Sequence, residues 1–66
     1  MATSTLKQRR LKLKLSQMAL AEKVGVSLMT IQLWERGIST PTDKNKQILE
    51  SVLKELEMEY EANKNQ

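Results

Sequence analysis

The chain has 66 residues, enough for one small domain, and its 11 Lys and Arg residues outnumber its 8 Asp and Glu residues, for a net charge of +3. It has no cysteine and no histidine, which removes disulfides, thiolate nucleophiles and the commonest general base and metal ligand. Its apolar residues, 39% of the chain, are interrupted by charges too often for a membrane span of about 20 residues. We therefore expect a soluble, cytoplasmic domain that is not an enzyme and has no cofactor, metal site or membrane partner.

The charge is distributed unevenly along the chain. Residues 1–41 carry seven basic and two acidic side chains, whereas residues 42–66 carry four basic and six acidic ones. A basic first part with an acidic second part favours one face for an anionic partner, and nucleic acid is the first candidate. An ordinary solvated surface is the alternative interpretation.

The first helix is predicted from Ser4 or Thr5 to about Leu13. Leu6, Arg10 and Leu13 are spaced i, i+4 and i+7, so they share one face of that helix. Arg10 is therefore placed on an apolar face, where an unpaired charge is unfavourable. We expect it to have a buried partner of opposite charge.

Two short helices and a tight turn follow. The second helix is predicted over 17–24 behind the N-cap Ser16, and the third over about nine residues behind the N-cap Ser27. Gly25 lies where a helix end commonly needs a residue of left-handed conformation. Two short helices joined by a turn of three or four residues with a glycine form a helix-turn-helix, here over 17–36. A generic helical hairpin is the alternative.

A fourth, longer helix is predicted over about 42–61, capped by Thr40 or Thr42, and residues 62–66 are predicted to form a frayed tail. Its second half carries more apolar surface than a bundle of this size can bury. A second copy related by a two-fold axis would cover that surface by contacting Leu53, Leu56 and Tyr60. A monomer with an extended, charge-stabilised helix is the alternative. The acidic run Glu55, Glu57, Glu59 and Glu61 is predicted to be a solvated face.

The types and spacings of a larger set of residues match a known pattern. These residues are Leu15-Ser16-Gln17, Leu20-Ala21, Val24-Gly25-Val26-Ser27, Thr30-Ile31 and Trp34-Glu35-Arg36-Gly37, followed by Pro41. Together they closely resemble the Cro and phage-repressor family of helix-turn-helix regulators, over about residues 5–56. The resemblance implies a compact, all-α, lambda-repressor-like DNA-binding domain of four or five helices with an extended C-terminal helix. It also implies that the third helix enters the major groove of double-stranded DNA.

A buried ion pair between Arg10 and Glu35 is predicted. Glu35 lies beside Ile31 and Trp34 on the inward side of the third helix, so each charge suits the other as partner. Members of the family resemble this chain in pairing an Arg and a Glu at these positions. The alternative is that both side chains reach solvent at the rim of the bundle.

The DNA-facing residues follow from helical angles of about 100° per residue. The candidates for base reading on the outward arc of the third helix are Leu28, Met29, Gln32 and Leu33. Glutamine can bond both N6 and N7 of adenine, while Leu and Met side chains can meet thymine methyl groups. The candidates for phosphate contacts are Ser16, Gln17, Ser27, Arg36, Ser39 and Thr40. Among these, clamping by backbone N–H groups at Gln17 and in the loop 38–40 is implied by the resemblance.

The sequence departs from the family pattern at Leu28, Met29 and Leu33, where polar or basic side chains are usual. Exposed apolar residues can also form a protein-binding patch. The alternative function is therefore a protein-interaction module on the same scaffold, such as an antitoxin or an anti-regulator. We expect residues 1–66 to form one domain that binds operator DNA as a homodimer and represses transcription, in a bacterial cell or encoded by a phage or mobile element.

Overall fold

The computed structural model describes residues 4–64, which fold into four helices. These are α1 (Ser4–Lys12), α2 (Gln17–Val24), α3 (Leu28–Arg36) and α4 (Asp43–Lys64). Helix α3 packs on both α1 and α2, and α2 also packs on α4. The prediction of an all-α domain with an extended C-terminal helix is confirmed. No helix among the described residues is both long and apolar enough to cross a membrane.

Side-chain hydroxyl groups cap the N-termini of three helices. Ser16 Oγ accepts a hydrogen bond from the Ala19 N–H at 3.0 Å, and Ser27 Oγ accepts one from the Thr30 N–H at 3.1 Å. Thr42 Oγ1 accepts one from the Asn45 N–H at 3.2 Å, so Thr42 rather than Thr40 caps α4. Each hydroxyl satisfies one of the N–H groups that a helix start leaves without a partner.

A common C-capping motif ends the first three helices. Lys14, Gly25 and Gly37 adopt positive φ values of 60°, 87° and 75°. The N–H group of the residue after each one donates a hydrogen bond to a carbonyl oxygen in the last turn of the helix, as this motif requires. A Cβ at Gly25 would meet nothing within 4 Å, so glycine is favoured there by its φ and not by lack of space. Because Lys14 takes the left-handed conformation, α1 ends at Lys12, one residue before the predicted end.

The core lies between α2, α3 and the first half of α4. Its buried apolar members are Leu20, Ala21, Val24, Ile31, Trp34, Leu49 and Leu53. Leu53 is only 1% exposed, so the prediction that it contacts a second copy is wrong. The part of helix α4 that covers the bundle includes Leu53, which belongs to the domain's own core.

The second half of α4 extends past the core and lies beside α1 and the turn that follows it. The whole of α4 has 22 residues and a length of about 33 Å, close to the 38 Å longest dimension of the molecule. Residues 62–64, expected to lie in the frayed tail, are helical, while 65 and 66 lie outside the described residues. Leu56 and Tyr60 are half-buried and line a shallow groove with Leu13 and Leu15.

Arg10 and Glu35 form a buried, bidentate ion pair between α1 and α3. Arg10 Nε donates to Glu35 Oε2 at 2.6 Å, and Arg10 Nη2 donates to Oε1 at 3.1 Å. The two residues are 6% and 7% exposed, so the alternative of a solvated rim position is wrong. Arg10 Nη1 also donates to the Leu15 carbonyl oxygen at 2.8 Å, which ties the turn after α1 to the same guanidinium.

A second arginine joins α1 to α4. Arg9 Nε and Nη2 donate to the Glu57 carboxylate at 2.8 and 2.9 Å, and Nη1 donates to Glu50 Oε2 at 2.9 Å. The pKa of Arg9 is raised, chiefly by its hydrogen bond to Glu57, although burial acts in the opposite direction. The prediction of a solvated acidic face is therefore wrong for Glu57, which is half-buried and paired, whereas Glu55, Glu59 and Glu61 are exposed.

Removing one member of the buried pair should destabilise the domain more than removing both. Arg10→Met leaves the Glu35 carboxylate buried without its guanidinium, and we expect a loss of about 3–5 kcal/mol in the free energy of unfolding. Combining Arg10→Met with Glu35→Leu should cost less, although the Leu15 carbonyl still loses its donor. Urea unfolding followed by circular dichroism measures both losses. Equal losses would contradict this role of the pair.

Candidate nucleic-acid interface

The outward arc of α3 combines exposed and half-buried side chains. Met29 is 67% exposed and Arg36 is exposed, whereas Leu28, Gln32 and Leu33 are half-buried. Residues four apart lie one above the other on a helix, so Leu28, Gln32 and Arg36 form one line along the arc. The structure therefore gives α3 a surface that is apolar at its start and basic at its end.

A polar cleft of about 240 Å³ opens beside this arc, where α1, α2 and α3 meet. It is lined by Lys7, Gln17, Gln32, Glu35 and Arg36. Four of these, all except Lys7, were predicted on separate grounds to meet DNA or to form the ion pair, and the fold brings them together. Lys7 was not among the predicted residues. The available signal was its position one turn before Arg10 on the same helix, which places the ammonium group above the buried pair.

A chain of hydrogen bonds runs from the buried ion pair to this surface. Gln17 Nε2 donates to Glu35 Oε1 at 3.0 Å. Gln32 Nε2 in turn donates to Gln17 Oε1 at 3.4 Å, which is a longer bond. The chain thus links Arg10 in α1 to Gln32 in α3 through the first residue of α2.

The carboxylate sets the direction of every bond in this chain. An ionised carboxylate only accepts hydrogen bonds, so Gln17 must turn its NH₂ group toward Glu35 and its carbonyl oxygen away. Gln32 then faces an oxygen and must present an N–H group. In the described part of the chain, the Gln32 carbonyl oxygen and its second N–H have no hydrogen-bond partner. Gln32 therefore offers one acceptor and one donor to a ligand.

Glu35 stays ionised despite its burial. Burial alone would raise its pKa, but the hydrogen bonds from Arg10 and Gln17, with the positive charges of Arg10 and Lys7, outweigh that effect. The net result is a pKa below the ordinary value of 4.5. The carboxylate is therefore a permanent acceptor at neutral pH.

The start of α2 presents free backbone donors. Ser16 Oγ and the Ser16 carbonyl oxygen accept from the N–H groups of Ala19 and Leu20. The N–H groups of Gln17 and Met18 precede the first intrahelical bond and point out of the helix N-terminus. The hydroxyl groups of Ser16 and Ser27 both act as cap acceptors and lie on exposed residues, where the Ser16 proton can still be donated.

The backbone N–H groups of the loop 38–40 were predicted to bind phosphates, but two of them are bonded within the protein. The N–H groups of Ile38 and Ser39 both point to the Leu33 carbonyl oxygen, at 3.0 and 3.4 Å. They close the C-cap of α3, so they are not directed outward as predicted. Ser39 and Thr40 are exposed and keep their hydroxyl groups for a ligand. No group of three or more His, Cys, Asp or Glu residues within 4–64 is arranged to hold a metal ion.

Comparison with known protein families matches residues 6–60 to a family described as helix-turn-helix. The chain belongs to the Cro and phage-repressor type of helix-turn-helix proteins. This DNA-binding helix-turn-helix regulator has α2 and α3 as its two motif helices, joined by the turn at 25–27. Comparison with curated proteins and with solved structures finds no match.

Acid should unfold this helix-turn-helix domain through Glu35. A carboxyl group whose pKa is lowered by folding adds stability above its unfolded value, here 4.5, and loses it as the pH falls through the folded value. We expect the free energy of unfolding to fall below about pH 4.5 in the wild type and more gradually in Glu35→Gln. Urea titrations at a series of pH values measure the two slopes.

The comparison uses slopes and not absolute stabilities, because Glu35→Gln also leaves Arg10 without its anionic partner. Glu57, whose pKa is lowered chiefly by its hydrogen bond from Arg9, contributes to the same slope. Glu57→Gln is therefore the matched variant. It should keep the part of the pH dependence of unfolding that is due to Glu35. Parallel curves for the wild type and Glu35→Gln would show that Glu35 does not carry the acid response.

Proposed function

We propose that this protein is a sequence-specific transcriptional repressor that binds operator DNA as a homodimer, with α3 in the major groove. The observation that carries the proposal is Gln32, anchored on the outward arc of α3 with one donor and one acceptor free. Occupancy of an operator suffices for repression, since it blocks other proteins from the same groove. Such a regulator acts where the genome lies, and we therefore assign it to the cytoplasm of a bacterial cell.

The geometry at Gln32 favours adenine. In the major groove, adenine presents N7 as an acceptor and its N6 amino group as a donor, whereas guanine presents two acceptors. The hydrogen bond to Gln17 occupies one Gln32 N–H, which leaves a single N–H beside the carbonyl oxygen. That combination matches adenine and places an oxygen against guanine O6. Gln32 is thus our candidate for direct base reading.

The groups around the cleft support phosphate contacts. Lys7 and Arg36 lie at its edge and carry permanent positive charge, and the first N–H groups of α2 add donors at a helix N-terminus. Phosphate contacts position a protein on a duplex without reading sequence. Arg36 lies at the far end of α3, one turn beyond Gln32, so we assign it to the backbone and Gln32 to the bases.

The groove at the end of α4 supports a homodimer. Leu56 and Tyr60 remain half-buried after the domain has folded, and together with Leu13 and Leu15 they line about 180 Å³ of open space. We assign this groove to a second copy. Two recognition helices would then lie on half-sites about one helical turn, or 34 Å, apart.

A protein-interaction module is the second candidate, and the exposed apolar residues favour it. Met18, Met29 and Ile38 are 53%, 67% and 65% exposed. An antitoxin or anti-regulator would use these side chains to bind a partner protein and not a base edge. The two candidates differ in whether Gln32 and Arg36 are needed: DNA binding uses them beside the apolar side chains, whereas a protein partner would use the apolar side chains alone.

Selection of bound sites from random duplexes tests the proposed function. We expect a palindromic consensus in the wild type. Gln32→Ala should lose about 1–3 kcal/mol of binding free energy at one or two base pairs only, with adenine preference relaxed there. Arg36→Ala should weaken binding to all sequences alike and lower the salt slope by about one unit.

Matched variants on α4 serve as controls for these substitutions. Gln47 and Lys44 are exposed on α4, so Gln47→Ala and Lys44→Ala should leave the consensus and the salt slope unchanged. Leu33→Ala tests the second candidate, because a protein-binding patch depends on that apolar side chain. Unchanged DNA affinity in Gln32→Ala and Arg36→Ala, with loss of a protein partner in Leu33→Ala, would overturn the DNA assignment.

The dimer assignment predicts opposite results on the two faces of α4. Leu56→Asp should convert a dimer into a folded monomer, because it places a charge in the proposed interface. Met58 is 72% exposed and lies about 200° around the helix from Leu56, so Met58→Asp should remain dimeric. Sedimentation measures the mass, and thermal unfolding checks that both variants fold. A wild type that is monomeric at high concentration would contradict the assignment.

A further inference from the structure

An apolar row follows the outward arc of α3. Met29 is 67% exposed, and Leu33 lies one turn further along the same side of the helix. Ile38 is 65% exposed, and the hydrogen bond from its N–H to the Leu33 carbonyl oxygen holds it next to that turn. We refer to Met29, Leu33 and Ile38 as the apolar row.

Positive charge borders this row. Arg36 follows Leu33 by three residues on α3, and Lys7 lines the same cleft as Arg36. The occupant of the row must therefore present apolar groups close to negative charge. The major groove of a duplex presents that combination where the C5-methyl groups of pyrimidines project between two phosphate backbones.

We propose that α3 reads its site chiefly through pyrimidine C5-methyl groups, and that 5-methylcytosine replaces thymine wherever the apolar row meets the groove. This rests on the proposed function. The methyl group occupies the same ring position in both bases, while the neighbouring group is a carbonyl oxygen in thymine and an amino group in cytosine. Aliphatic side chains carry no group that distinguishes a donor from an acceptor, so the row detects the methyl group alone.

The division of work on α3 follows from the side chains. Gln32, anchored through Gln17, is the polar reader and requires adenine at its own position. The apolar row contacts the remaining base positions, and its contribution to affinity depends only on the apolar area that it buries against them. Affinity for a site that contains cytosine at a row position therefore depends on whether that cytosine is methylated. The ligand class extends from A·T-rich duplexes to methylated duplexes.

Single-methyl changes in the selected duplex test this proposal. Replacing thymine by uracil removes one methyl group and keeps the base pair, and we expect about fourfold weaker binding at each contacted position. Replacing the same thymine by cytosine should weaken binding, and 5-methylcytosine should recover about fourfold relative to cytosine. Competition binding against the unmodified duplex measures each ratio.

Two variants assign the effect to the row. Met29→Gln keeps the side-chain length and removes its apolar end. The variant should therefore have equal affinity for duplexes that carry thymine or uracil at one position. Met58→Gln is the matched control on the exposed face of α4, and it should keep the full preference for thymine. Both positions are exposed, so neither substitution removes a core contact.

The outcomes separate this proposal from the proposed function. Sequence-specific binding with equal affinity for thymine and uracil overturns the methyl-reading proposal and leaves the repressor function intact. A thymine preference without any gain from 5-methylcytosine also overturns it. A chain without any duplex sequence preference overturns the proposed function itself.

Discussion

The buried pair of Arg10 and Glu35 is the constraint on which the arrangement of this domain depends. Each charge is stable inside the protein only because the other lies against it, so α1 and α3 must meet at this point. The same guanidinium holds the Leu15 carbonyl oxygen, and the same carboxylate accepts from Gln17 at the start of α2. One ion pair therefore fixes three helices and the turn between the first two. An aliphatic pair could fill the space, but it could not orient the amide of Gln17.

The surface of α3 carries two kinds of side chain whose positions depend on the interior to different degrees. The amide of Gln32 is oriented by a hydrogen-bond chain that begins in the core, so the direction of its free donor and acceptor follows from the fold. The methionine and leucine side chains beside it need no such support, because apolar contact has no direction. Arg9 plays no part on this surface. Its guanidinium is held by Glu50 and Glu57 on α4, and the basic residues that line the cleft in the described part of the chain are Lys7 and Arg36.

Local features were predictable from the sequence, and long-range ones were only partly so. Ser16 and Gly25 act within their own turns, and the third helix was expected to end at Arg36 for the same kind of reason. The pairing of Arg10 followed from its place on an apolar face. The role of Leu53 did not follow, because helix periodicity gives a face but not how far a helix extends across the bundle. The pairing of Arg9 with Glu57 depends equally on how α1 crosses α4, and a chain pattern carries no crossing angle.

The shortness of the first three helices has a consequence for how the domain forms. They have 9, 8 and 9 residues, whereas an isolated helix in water needs about 12–15 to be even marginally stable. None of them can persist before the others are in place, so folding must be cooperative. Most contacts join residues close in sequence, which favours rapid folding. The surface of α3 therefore has no partly formed version: the chain either presents the whole of it or is unfolded and open to proteolysis.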